Sequence, residues 1–155
     1  MRPMTSLAAA GILMMFGALA QAAEDPFADA VETRHGLMLQ MASELGKMGA
    51  MVKGDAAYDA AIAAKAAADL AAIASVLSME QFPAGSEIDK AADSFAKPEI
   101  WANEPDFLAK LADLNAAAAA LQPLAVADLE SLKAGMGSVG KACGACHTPY
   151  RVPEE

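Results

Sequence analysis

Apolar residues recur every three or four positions along nearly the whole chain, the period of an amphipathic helix, and runs that alternate in the manner of a strand are nearly missing. The first such stretch opens at Pro26, a residue favoured in a first helical turn. It continues through Phe27, Ala30, Arg34, Leu37/Met38, Met41, Leu45, Met48 and Val52 and stops at Gly54. A second begins near Asp55, with Tyr58, Ile62, Ala66, Leu70, Ile73 and Leu77 on one stripe, and must end before Pro83. A third follows Pro98, with Ile100/Trp101, Phe107/Leu108, Leu111, Leu114, Ala118 and Leu121, and is expected to end at Pro123. The five alanines at 116–120 belong to it, since alanine is the best helix former and lets helices approach closely. The fourth starts near Ala125 and carries Leu129, Leu132, Met136, Val139, Cys143 and Cys146. Residues 80–97 show no sustained period. A link this long is unusual in a small domain, so it either holds a short helix at 87–95 or wraps the rest. Four amphipathic helices with short first-to-second and third-to-fourth links predict an all-α fold, an antiparallel four-helix bundle.

The start of the chain reads differently. Arg2, an apolar run from Leu7 to Ala20 and small residues at Ala20 and Ala22 form an export signal, with cleavage expected before Ala23. A membrane anchor is the competing reading, but the run is about 14 residues where roughly 20 are needed to span a bilayer. Removing residues 1–22 leaves a single domain, 23–155, of 133 residues in the 155-residue chain, and takes away Arg2, so that the formal net charge of −9 becomes −10. That balance argues against nucleic acid and anionic membranes and points to basic or neutral partners. Export also places the chain's two cysteines where they could oxidise to a disulfide.

Those cysteines stand three apart with a histidine directly behind: Cys143, Cys146 and His147 form C-x-x-C-H, the attachment sequence for c-type haem. On a helix, positions i, i+3 and i+4 share a face. Two thiols can then reach the two vinyl groups of a porphyrin and form thioethers, and His147 can turn its imidazole under the iron as the proximal ligand. A redox C-x-x-C would need a βαβ setting, which a helical chain lacks. A structural zinc site needs four ligands, and His35 is the only spare histidine. A plain disulfide leaves the histidine unexplained. Covalent haem c, one per chain, accounts for all three residues.

The motif closes the last of four helices, and in this position the chain resembles the class II cytochromes c, the cytochrome c-prime family. "TRHGLM" at 33–38, "MVKGDAAYD" at 51–59, "KPEIW" at 97–101 and "GKACGACHTPYR" at 140–151 carry the resemblance. It implies a four-helix bundle with the haem between helices. It also implies that Arg34 lies beside a haem propionate, that Arg151 is the basic residue following the motif, and that Met38 faces the sixth position of the iron. Pro149 departs from the family pattern, and a helix end or kink is expected there. In low-spin relatives a methionine at the Met38 position binds the iron; in cytochromes c-prime proper the residue guards an open site. Gly36 is expected to let the first helix approach the porphyrin, and Met41 is the substitute ligand. Family homodimers form through the first two helices, where Gly46 and Gly49 would permit close approach or serve internal packing.

No nucleophile–base pair, phosphate loop or carboxylate dyad is visible, so an enzyme is not expected. The reading is a periplasmic electron carrier with His147 and Met38 as iron ligands, working with redox partner proteins. The alternative is a five-coordinate haem protein that binds nitric oxide or carbon monoxide.

Overall fold

The computed structural model describes residues 25–153; the leader expected at 1–22 lies outside them. Four long helices carry the fold: α1 (Ala28–Lys53), α2 (Ala60–Val76), α4 (Glu104–Ala125) and α5 (Leu129–Tyr150), with a one-turn helix α3 (Glu99–Ala102) ahead of α4. α1 packs on α2 and α5, and α4 packs on α2 and α5, which closes the four into a bundle. The buried face of α4 (Phe107, Leu111, Leu114, Ala118, Leu121 and Ala125) repeats the stripe read from the sequence. Glu44, on the buried side of α1, is 1% exposed. Its carboxylate accepts bonds from Gln40 and Lys47, as a buried charge requires.

The ends of the helices are set by caps that periodicity does not reveal. α2 starts at Ala60 rather than near Asp55, because the Asp59 carboxylate accepts from the amides of Ala61 and Ile62. Tyr58 therefore precedes the helix, and its hydroxyl donates to the Ala125 carbonyl at 3.0 Å. α5 starts at Leu129, not near Ala125, for the same reason: Asp128 accepts from Ser131. The third stretch is split at Asn103 (φ −138°, ψ 51°), two residues before Pro105. Pro105 has no amide to donate to the Trp101 carbonyl, so one continuous helix is broken there. Pro123 does not end α4. It sits in the last turn, where one missing bond is tolerated and two more residues follow.

The 80–97 link wraps. It holds a 3-10 turn at Met79–Gln81 and no helix at 87–95. Asp89 (φ 69°) and Asp93 (φ 56°) adopt left-handed backbone, which a continuing helix would forbid. Gly85 (φ 97°) lies under the Phe27 ring, where a Cβ would come within 2.8 Å of Cζ. The link then meets the end of the chain: Lys97 N donates to the Tyr150 carbonyl and Val152 N to the Phe95 carbonyl.

α4 and α5 touch closely at Gly135. A Cβ there would lie 2.6 Å from Leu121 Cδ1, and Leu121 is fully buried. Gly135→Ala is expected to destabilise the bundle by about 1 kcal/mol net. Overpacking of roughly 1–3 kcal/mol exceeds the helix-propensity gain of about 1. Chemical denaturation measures it, and a more stable variant would contradict the close packing.

Candidate functional site

α5 delivers the motif to one wall of a cavity of about 420 Å³, where Cys146, His147, Tyr150 and Arg151 line the surface. The facing wall is α1, with Arg34, His35, Met38, Leu39 and Ala42. Phe107 and Leu111 of α4, Ile100 of α3, and Phe82, Phe95 and Ala96 of the link complete the lining. Leu39 is 72% exposed, so the cavity opens to solvent along α1. Cys143, one turn before Cys146, is half-buried against the core.

Both thiols are free. Burial pushes each up from its ordinary pKa, Cys146 to about 11. Among the described residues no group of three or more His, Cys, Asp or Glu side chains is placed to hold a metal ion. The apolar walls, the imidazole and the paired thiols therefore fit a haem in a way that they do not fit zinc.

Pro149 lies inside α5 and does not end it; the helix runs to Tyr150. The Thr148 hydroxyl donates to the Gly144 carbonyl at 2.8 Å, close to where the proline withdraws an amide. Arg151 then turns extended (φ −124°, ψ 137°) and pairs with Ala96, which keeps it on the cavity wall. The Tyr150 hydroxyl donates to Asp106 Oδ2 at 2.7 Å and ties the end of α5 to the start of α4. That bond, first among the causes, pushes the phenol up to about 12 and holds the Asp106 carboxyl below its usual range.

Arg34 is buried, and its guanidinium lies 5.3 Å over the Phe82 ring. His35 reaches the cavity with its ring 6.0 Å from that of Phe95. Met41 is 5% exposed in the core cluster and is not among the lining residues. Gly36 is exposed and a Cβ there would meet open space, so it does not bring α1 closer to the interior. Gly36→Ala is expected to stabilise the protein by about 0.5–1 kcal/mol and leave the optical spectrum unchanged. A thermal melt and a spectrum check both. Of the two glycines considered for a helix contact between copies, Gly46 faces open space and Gly49 faces inward, 3.8 Å from Met136 Cε.

Two of the four phenylalanine and tyrosine residues in the lining, Phe82 and Phe95, were not legible in the sequence. Phe82 and Phe95 come from the aperiodic link. Phe107 and Tyr150 join them through edge-on contacts, Phe82–Phe107 at 4.9 Å and Phe107–Tyr150 at 5.3 Å between centroids.

Residues 29–151 match the family model described as cytochrome C'. Cytochrome c-554 of Cereibacter sphaeroides is 48% identical over 97% of this chain and 98% of its own. The solved structure of cytochrome c' from Rhodobacter Spheriodes superposes with a TM-score of 0.79 at 35% identity, over 83% of this chain and 98% of that one. The nitric oxide complex of a mutant cytochrome c prime from Alcaligenes xylosoxidans gives 0.72 at 35% identity, over 82% and 97%. This chain belongs to the cytochrome c' family, whose members carry covalently attached haem c in a four-helix bundle.

Proposed function

We propose that the chain is an exported single-electron carrier. Its haem is held by thioethers from Cys143 and Cys146, with His147 as the proximal ligand and Met38 as the distal one. The carrying observation is that Met38 and His147 line one apolar cavity from two different helices. Bound haem supplies a one-electron Fe(III)/Fe(II) couple. Phe82, Phe107, Ile100 and Leu111 keep water from that centre. The Met38 thioether is soft, neutral and unbranched, so it reaches from a helix in an ordinary rotamer, and methionine ligation raises the potential. Arg34 and Arg151 contribute positive charge to the cavity wall, the setting that haem carboxylates favour.

The leader at 1–22 supports a periplasmic location, where redox proteins are the partners. Among the described residues no helix is long and apolar enough to cross a membrane. The proposed role is transfer without catalysis. A homodimer through α1 and α2 fits the open face at Gly46.

A second reading is binding of nitric oxide or carbon monoxide at an open sixth position. The nitric oxide complex of the Alcaligenes xylosoxidans relative favours it. The spectrum of the purified protein decides. Sharp low-spin α and β bands with no uptake of carbon monoxide on reduction are expected for the carrier. A broad high-spin spectrum with ready uptake transfers the function to the second reading.

A further inference from the structure

Arg34 is 4% exposed, and among the described residues no carboxylate forms an ion pair with it. Its four terminal N–H groups all go elsewhere. Nη1 donates to the Gln81 carbonyl (3.2 Å) and to Ser86 Oγ (2.8 Å). Nη2 donates to the Ser86 carbonyl (2.8 Å) and to Ser94 Oγ (2.7 Å). All four acceptors are uncharged and all belong to the 81–94 part of the link. Ser94 Oγ donates in turn to the Ser86 carbonyl, so the serines and the guanidinium form one buried network. This leaves Nε–H as the one donor not engaged by the link.

The link needs such a hold. Asp89 and Asp93 sit in left-handed backbone between these acceptors, a conformation that persists only where the surroundings enforce it. The same link supplies Phe82 and Phe95 to the cavity, next to the α1 wall that carries Met38 one turn beyond Arg34. We propose that Arg34 is a positioning residue that clamps the link to α1 and so sets how readily a small ligand reaches the cavity beside Met38. This rests on the reading that haem occupies that cavity. A lysine cannot replace the clamp, because one ammonium group does not span four acceptors laid out for a planar fork.

Two variants of the haem-loaded protein test this. Arg34→Lys keeps the charge and removes the fork. Ser86→Ala/Ser94→Ala keeps the arginine and removes two acceptors. The readouts are hydrogen exchange at the Ile88 amide in the link, the midpoint potential and, in a Met38→Ala background where the sixth position is open, carbon monoxide association with the reduced protein. Both variants are expected to speed carbon monoxide association by at least about tenfold, the effect of losing one charge-assisted hydrogen bond from a closed state. Exchange at Ile88 should quicken in parallel, while the potential of Arg34→Lys stays near that of the wild type. Arg34→Lys matching the wild type in association and exchange would overturn the clamp and leave charge as the role. Unchanged association and exchange in the serine pair would overturn it too, even if Arg34→Lys does not fold. Whether Met38 binds the iron is read separately, from the starting spectrum.

Discussion

Cys143→Ala/Cys146→Ala is expected to yield a polypeptide that keeps no haem after denaturation. Each single variant should keep at most one thioether link. The stability effect should be large as well. The cavity of about 420 Å³ is walled by Phe82, Ile100, Phe107 and Leu111, side chains that come from three different elements and cannot all move in to fill it. A core left empty loses the contacts of every atom that lined it, and the cost grows with the volume that cannot collapse. A loss of at least about 4 kcal/mol is expected for the double variant, at the upper end for substitutions that empty a core. Haem staining of a denaturing gel and a denaturant titration measure the two effects. Haem that still migrates with the double variant would end the assignment.

Met38→Ala is expected to change the spin state. The ferric protein should lose the weak sulfur-to-iron charge-transfer band, turn high-spin and bind carbon monoxide once reduced. The site should stay open because its nearest replacements are badly placed. Met41 is packed in the core cluster and does not line the cavity. His35 does line it, but its ring lies against Phe95. A low-spin variant without the charge-transfer band would mean that His35 had taken the position. A wild type that already binds carbon monoxide, with a spectrum that Met38→Ala leaves unaltered, removes Met38 from the ligand set.

The helices could be read from the sequence because their buried stripes are local. Phe107, Leu111, Leu114, Ala118 and Leu121 repeat at three and four and all turn inward. Boundaries depended on single hydrogen bonds. Asp59 and Asp128 delay the starts of α2 and α5, and Pro105 splits the third helix by withholding one donor. Neither Pro123 nor Pro149 stops its helix, since each lies in a last turn with few bonds to lose. Cys143, Cys146 and His147 were legible because their spacing places them on one helix face, and Met38 through the resemblance to a family that carries a residue there; Cys146, His147 and Met38 line the same cavity. The link was not. Its path depends on Arg34 meeting Ser86 and Ser94, partners 52 and 60 residues away with no period to announce them. Phe82 and Phe95 of the cavity lining followed from that path and stayed hidden with it.

α2 and α4, which pack together, bury alanine at six positions. Ala63, Ala66, Ala67 and Ala74 on one helix and Ala118 and Ala125 on the other are essentially inaccessible to solvent. Alanine has no rotamers to surrender, so these six positions order at almost no side-chain entropy cost. The cavity is lined instead by side chains with rotamers to lose, Met38, Phe82, Phe95, Phe107 and Tyr150 among them, so ordering it costs entropy that these alanines do not.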